Sequence, residues 1–230
     1  MIIGGLQKNS LIDYPAKISS VIFLSGCNFD CPYCHNPDLA GGNPRVRLSQ
    51  DYIYDFLEER KGFLDGVVIS GGEPTLCEDL FSLCDKIKQI GYSVKLDTNG
   101  SRPGVVQKLI DESLIDYVAM DIKTDPFNYS PLIQKGCIPE DILSSILIIM
   151  KSTIAYEFRT TCLKPFVDEK VIERIARLIK GSRLYILQQF HNTGVLHPEF
   201  FQGKDYSFND EELLHFRSIA EPWVEKCIVR

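Results

Sequence analysis

Six short apolar runs are spaced along the chain, and each ends in small or polar residues. The first reads SSVIFLSG, and several of the others are rich in valine and isoleucine. Continuous apolar runs bounded by turn residues are typical of buried β-strands. The predicted strands are residues 19–26, 67–69, 92–100, 115–123, 154–163 and 183–190.

Helical spacing of apolar residues follows each predicted strand. Ser49 and Asp168 are suitable N-cap residues, and Thr75 with Glu78 forms a capping-box pattern. Gly91 and Gly181 are suitable helix ends. The predicted helices are residues 50–60, 76–90, 103–110, 139–151, 169–180 and 209–220.

Six strands that alternate with helices predict an α/β fold with a parallel sheet and right-handed crossovers. Six such units give an incomplete barrel, and a doubly wound open sheet is the alternative that alternation leaves open. In both architectures, the side chains that follow the strands meet at the carboxyl ends of the strands. We therefore expect the functional residues there.

The length, composition and net charge of the chain restrict its domain organisation and its possible partners. The chain has 230 residues, 44% of them hydrophobic, which suits one domain over 1–230 with a core at about 19–195 and an extension at 196–230. The net charge of −6 and the lack of basic runs argue against nucleic acid or a membrane surface as partner. Neither a signal sequence nor a spanning segment is recognisable, so we expect a cytoplasmic protein.

Three cysteines lie in one short loop, GCNFDCPYCHNP at residues 26–37. Cys27, Cys31 and Cys34 can hold three irons of a 4Fe-4S cluster and leave the fourth iron open to a substrate. Zinc bound with the help of His35, or a disulfide, are the alternatives. The remaining cysteines are scattered and are predicted to be core or incidental residues: Cys77, Cys84, Cys137, Cys162 and Cys227.

The Cys-x3-Cys-x2-Cys loop with Tyr33 before the third cysteine resembles the cluster loop of the radical S-adenosylmethionine (SAM) superfamily. The SGGEP run at residues 70–74 follows one β-α unit later and is similar to the motif that binds the SAM amino group in that superfamily. Cys-His-Asn at residues 34–36 narrows the resemblance to glycyl-radical activating enzymes. The implied fold is a partial (β/α)6 TIM-like barrel, and the implied cofactors are a 4Fe-4S cluster and SAM.

The resemblance also implies a set of SAM-binding residues. Glu73 would balance the SAM amino group, Lys123 would meet its carboxylate, and His191 would lie beside its adenine. Arg159 stands in an apolar strand, so we expect it to pair with a carboxylate of the ligand or near Glu157. The full predicted set is Tyr33, His35, Gly71, Gly72, Glu73, Asp97, Thr98, Asp121, Lys123, Arg159 and His191.

The implied reaction is reductive cleavage of SAM to a 5′-deoxyadenosyl radical, which takes hydrogen from a glycine of a partner protein. The opening NSLIDYPAK resembles activating proteins of anaerobic ribonucleoside-triphosphate reductase, with Asp13 either in a plain turn or near the substrate. A flavodoxin or ferredoxin would supply the electron. The alternatives are a radical SAM enzyme acting on a small molecule such as a deazapurine precursor, and a non-enzymatic Fe-S or zinc module.

Overall fold

The computed structural model describes residues 1–129, 138–191 and 193–230. Within them, a single sheet of eight strands has the order β1 to β8, so every strand pairs with its neighbours in sequence. β1 runs antiparallel to β2, and all the other pairs are parallel. The strands are β1 Ile3–Ser10, β2 Ser19–Leu24, β3 Gly66–Gly71, β4 Ser93–Thr98, β5 Tyr117–Asp121, β6 Ala155–Cys162, β7 Tyr185–Gln189 and β8 Cys227–Val229.

Helices connect the parallel strands. None of the helices in the described residues is long and apolar enough to span a membrane. The helices are α1 Pro37–Ala40, α2 Gln50–Glu59, α3 Leu80–Ile90, α4 Pro103–Asp111, α5 Pro139–Lys151, α6 Glu169–Leu178, α7 Pro198–Phe201 and α8 Asp210–Ala220.

The strand order confirms the predicted fold class. A doubly wound sheet reverses its strand order at a switch point, whereas this sheet is sequential throughout. The six predicted strands are the parallel strands β2 to β7, and the two edge strands β1 and β8 do not pair with each other. The fold is therefore a partial barrel that remains open between its first and last strands.

Side chains alternate between the two faces of the sheet. The outward-facing residues of the parallel strands, such as Ile22 and Leu96, join the large core beneath the helices. A smaller apolar cluster of Tyr14, Val21, Val68 and Tyr117 lies on the inner face. The inner face is apolar near the amino ends of the strands, and it becomes polar towards their carboxyl ends.

Three local features differ from the sequence predictions. β1 was missed because its exposed residues Gln7, Lys8 and Asn9 break the apolar run, and β8 was missed because it has three residues. The capping box of Thr75 and Glu78 is wrong, since a 3-10 turn at Pro74–Leu76 comes first and α3 begins at Leu80.

Gly71, at the end of β3, has a φ of 120°, and a Cβ placed there would collide with the backbone of Leu24 in β2. We predict that Gly71→Ala lowers the free energy of unfolding by about 2–4 kcal/mol, through backbone strain and steric overlap. Gly104→Ala is the matched control, because Gly104 lies in α4 with open space around it. It should be neutral or stabilising by about 0.5–1 kcal/mol. Urea unfolding measures both, and equal midpoints for the two variants would contradict the prediction.

Candidate active site

The cysteine loop leaves the carboxyl end of β2 and turns back over the sheet. The backbone N–H of Phe29 donates to Cys27 Sγ and that of Asn36 donates to Cys34 Sγ, each at 3.4 Å. The side-chain amide of Asn99, after β4, lies 4.0 Å from Cys27 Sγ. Donors that point at sulfur stabilise thiolate ligands and tune a cluster bound by them. The loop therefore has the donor set that an Fe-S cluster requires.

Burial raises the pKa of Cys27 to about 11 and that of Cys31 to about 12. Lys123 lowers both pKa values, but burial outweighs it, so both side chains stay protonated at neutral pH. A bound metal centre deprotonates coordinating thiols. Cluster binding at this loop is therefore coupled to proton release.

A cavity of about 390 Å³ lies between the cysteine loop and the carboxyl ends of the strands. Its volume lies within the range of small-molecule sites. All but two of the residues predicted for the site line it, the exceptions being Glu73 and Asp13. The predicted residues in the lining are Cys27, Cys31, Tyr33, Cys34, His35, Gly71, Gly72, Asp97, Thr98, Asp121, Lys123, Arg159 and His191.

An ionic network crosses the floor of the cavity. Arg159 Nε lies 2.7 Å from Asp121 Oδ1, and Arg159 Nη1 lies 3.5 Å from Asp97 Oδ2. Lys123 Nζ contacts the other oxygen of Asp121 at 2.8 Å. The hydroxyl of Ser70 donates to Asp97 Oδ2 at 3.1 Å. Strands β3 to β6 are thus joined by side chains at the edge where the cavity opens.

The network keeps its members charged. Burial alone would neutralise Asp121, but Arg159 and Lys123 outweigh burial and hold its pKa well below its usual range. The same balance, with Arg159 and Lys95 as the cations, lowers the pKa of Asp97. Asp121 likewise outweighs burial and raises the pKa of Lys123. The cavity is therefore lined by fixed charges of both signs at neutral pH.

Glu73 is placed differently from the sequence expectation. Its carboxylate is buried and does not line the cavity, and it accepts hydrogen bonds from the backbone and hydroxyl of Thr75. It also accepts from the hydroxyl of Thr98 at 2.7 Å and the backbone N–H of Asn99 at 2.6 Å. Glu73 thus connects the loop after β3 to the loop after β4. In the structure it positions cavity residues through these hydrogen bonds.

Gly71 and Gly72 line the cavity through their backbone. The N–H of Gly72 donates to Leu24 at 2.8 Å, and the N–H of Glu73 donates to Gly26 at 2.8 Å. A Cβ at Gly72 would collide with the backbone of Gly26. Glycine is required here because this segment runs tightly beside the start of the cysteine loop.

Asp13 lies at the opposite end of the sheet from the cavity. It follows Ser10, which pairs with Ser19 at the start of β2, whereas the cysteine loop follows Leu24 at the end of β2. Six strand residues separate the two ends by about 20 Å. The Asp13 side chain accepts a hydrogen bond from the Ser10 hydroxyl and closes a turn. The structure therefore places Asp13 in the turn and not near the cavity.

Aromatic side chains form the wall beside the cysteine loop. Tyr33 packs against Phe166 and Phe190, and the His35 ring stacks on Phe190 at 5.8 Å. The Tyr33 hydroxyl is buried without a hydrogen-bond partner in the described part of the chain. His191 is exposed at the rim. This wall provides an apolar surface with an unused polar group, as a partly apolar ligand requires.

The extension at 196–230 contacts the cysteine loop. The backbone N–H of His197 donates to the Pro32 carbonyl at 3.1 Å, and its ring contacts Asp30 at 3.1 Å. Hydrogen bonds with Asp30 and Glu199 raise the pKa of His197. Phe201 stacks on Phe190 at 5.4 Å. The extension thus holds the cysteine loop in place through Pro32 and Asp30, and nothing in the sequence indicated this role.

Sequence reasoning missed several cavity residues. Ser70 directly precedes the predicted glycines, and Asn99 directly follows Thr98, so their positions in recognised motifs were an available signal. Thr161 on β6 and Gln188 on β7 are partners in register and both line the cavity. The only signal for them was the alternation of side chains along each strand, which points these two residues to the inner face. The missed lining residues carry no charge, and two of them, Phe29 and Ala40, are apolar.

The scattered cysteines are not part of this site. Cys84, Cys162 and Cys227 are buried and Cys77 is half-buried. None of the four lines the cavity, as expected for core or incidental residues. Cys137 lies outside the described residues.

The fold and the site define an α/β partial-barrel protein with a thiolate cluster loop beside a small-molecule cavity. The family model of the radical SAM superfamily matches residues 21–179, and the chain belongs to that superfamily. Members of the superfamily use a 4Fe-4S cluster and SAM, and the residues found here fit both.

The chain is 37% identical over 236 residues to a protein of Methanocaldococcus jannaschii assigned as a glycyl-radical enzyme activating enzyme, covering 100% of this chain and 95% of that protein. It is 29% identical to the pyruvate formate-lyase-activating enzyme of Clostridium pasteurianum, over 92% of this chain and 91% of that enzyme. The fold is similar to a solved radical SAM methyltransferase from Sphaerobacter thermophilus, with a TM-score of 0.68 and 14% identity, over 94% of this chain and 67% of that chain.

Glu73→Gln should destabilise the protein by about 2–4 kcal/mol. Each carboxylate oxygen accepts a hydrogen bond from a backbone N–H, and the glutamine NH₂ would face one of these donors instead. Glu58→Gln is the control, because its ion pair with Lys61 is half-exposed and contributes at most about 0.5 kcal/mol. Urea unfolding of both variants measures the difference. A Glu73 variant as stable as the Glu58 variant would show that the carboxylate does not connect the two loops.

Cys27→Ser, Cys31→Ser and Cys34→Ser should each abolish or strongly reduce the 4Fe-4S absorption and the bound iron after anaerobic reconstitution, because the cluster would lose a thiolate ligand. Cys77→Ser, outside the cavity, should retain wild-type iron content. Iron and sulfide analysis with absorption spectroscopy measures this. Full cluster content in all three loop variants would overturn the assignment of the loop.

Proposed function

We propose that this protein activates a glycyl-radical enzyme by removing a hydrogen atom from a glycine of that partner. The proposed partner is anaerobic ribonucleoside-triphosphate reductase, and the proposed electron donor is a flavodoxin or a ferredoxin of the cytoplasm. The relative from Methanocaldococcus jannaschii supports the activating role because its likeness extends over the whole chain. The NSLIDYPAK opening supports the choice of reductase.

One observation carries the proposal. The three-thiol loop and the charged strand ends line one and the same cavity, so a cluster and a polar ligand would be adjacent. A structural metal site would require only the thiols. Lys123, Asp121 and Arg159 give the cavity charges that suit a zwitterionic ligand such as SAM.

The residues have separate roles in binding. Cys27, Cys31 and Cys34 would hold three irons of the cluster. Lys123 has one carboxylate partner among the described residues and lines the cavity, so its ammonium group can also bind the ligand carboxylate. The backbone at Gly72 lies at the cavity wall, close to the cysteine loop, where it can contact the ligand amino group.

When bound and reduced, the cluster and SAM supply a radical that can take a hydrogen atom from carbon. The protein must then orient the ligand and exclude water from it. Tyr33, Phe166 and Phe190 form the apolar wall that excludes water on the side of the cluster loop. On the cavity floor, the ion pairs of Asp121 with Arg159 and Lys123 hold charged groups in fixed positions, so they need not rearrange when the ligand binds.

Anaerobic assay of the reconstituted protein with its reductase tests the proposal. After reduction in the presence of SAM, we expect 5′-deoxyadenosine and a glycyl-radical doublet in the electron paramagnetic resonance spectrum of the reductase. Doublet formation on another glycyl-radical enzyme alone would correct the choice of partner. 5′-Deoxyadenosine formation that is stimulated by a deazapurine precursor, with no doublet on any such enzyme, would favour the small-molecule alternative.

Lys123→Met should raise the dissociation constant for SAM about tenfold or more, because the cavity would lose the cation available to the ligand carboxylate. Lys164→Met is the control, since Lys164 pairs with Glu212 outside this cavity. Isothermal titration calorimetry on cluster-loaded protein measures both. Equal SAM affinity in the two variants would remove Lys123 from the proposed site.

A further inference from the structure

Lys95 is a buried lysine inside the barrel, one layer below the cavity. It stands two residues before Asp97 in β4, so both side chains point to the inner face. Lys95 is only 1% exposed, and it does not line the cavity. Its Nζ lies 2.6 Å from Asp97 Oδ1 and 3.9 Å from Glu157 Oε1, and it lies 5.8 Å from the centre of the Tyr117 ring.

Stability alone does not account for a lysine at this position. Burying an ammonium group has a large desolvation cost, and apolar residues of similar volume commonly replace buried ion pairs without loss of stability. The neighbouring inner-face residues Tyr14, Val68 and Tyr117 already form an apolar cluster that a methionine could extend. A charge at this depth therefore calls for a role beyond stability.

The charge balance of the network depends on Lys95. The ion pairs among the described residues join three cations to three carboxylates: Lys95, Lys123 and Arg159 to Asp97, Asp121 and Glu157. Without Lys95, Arg159 would be the remaining cation for both Asp97 and Glu157.

Lys95 also sets the orientation of the Asp97 carboxylate. One oxygen of Asp97 is held from below by Lys95, and the other is held by Ser70 of β3 and Arg159 of β6. Groups on three strands thereby fix one carboxylate that lines the cavity. Removing Lys95 would release one of its two oxygens.

We propose that Lys95 is a positioning residue for SAM, acting from beneath the cavity by holding the Asp97 carboxylate in one orientation. This inference rests on the assignment of SAM to the cavity. Lys95 does not contact the ligand itself, so its effect must pass through Asp97.

The test is SAM binding by Lys95→Met, measured by isothermal titration calorimetry on cluster-loaded protein. We expect the dissociation constant to rise about tenfold, and Lys95→Arg, which keeps the charge, to restore most of the affinity. Wild-type affinity in Lys95→Met would overturn the proposal. Because the measurement is binding, it is independent of whether any glycyl-radical enzyme is activated.

The pH dependence of binding separates positioning from a general structural defect. Asp97 faces Lys95, Ser70 and Arg159, and the carboxylates of Asp121 on β5 and Glu157 on β6 lie nearby. Burial and the nearby carboxylates raise the pKa of Asp97, and Arg159 and Lys95 lower it. When Lys95 is removed, Arg159 is the remaining cation, so the pKa of Asp97 rises and the carboxylate protonates as the pH falls. The ratio of variant to wild-type dissociation constants should grow as the pH is lowered. A constant ratio would contradict the proposal.

A double-variant comparison also covers the case in which Lys95→Met does not fold. Lys95→Met combined with Asp97→Asn removes the lysine without leaving an unpaired Asp97 charge. If Lys95 acts through Asp97, the double variant should bind SAM within about twofold of Asp97→Asn alone. A further loss of about tenfold in the double variant would show that Lys95 acts by another route, and the proposal would be wrong.

Discussion

Arg159 is the side chain on which the site depends most. It lies inside the barrel in the middle of β6 and contacts Asp121 of β5 and Asp97 of β4, while Lys123 binds the other oxygen of Asp121. Removing one member of a buried ionic network commonly costs about 3–5 kcal/mol, because the remaining charge loses its partner. The network therefore ties the carboxyl ends of neighbouring strands together at the position where a ligand would bind.

Buried hydrogen bonds also fix the positions of the loops that follow the strands. Glu73 connects the loop after β3 to Thr98 and Asn99 after β4, and Asn99 in turn lies next to the first cysteine of the cluster loop. From the opposite side, His197 contacts the same loop through Pro32. The cluster loop is thus held between the strand ends and the carboxyl-terminal extension. Such support positions the thiols before any cofactor binds.

The fold and most of the cavity lining could be predicted because they rest on local patterns: apolar strands and motifs at their ends. The role of Glu73 could not, because its four hydrogen bonds depend on how two loops meet in space. The position of Asp13 could not be predicted because the sequence does not distinguish a turn residue from a site residue. The pairing of β1 with β2 places the Asp13 turn and the cysteine loop at opposite ends of β2. Lys95 was missed because the sequence does not show that its ammonium group is buried against the carboxylates of Asp97 and Glu157.

The cysteine loop and the charged strand ends line one cavity, so the cluster and SAM would bind side by side. Electron-nuclear double resonance on the reduced, cluster-loaded protein with SAM labelled in its amino and carboxylate groups tests it most directly. We expect hyperfine coupling between the cluster and both labelled groups, because Cys27, Cys31 and Cys34 would hold three irons and leave the fourth free to bind SAM. SAM that binds with no coupling to the cluster would contradict a shared site.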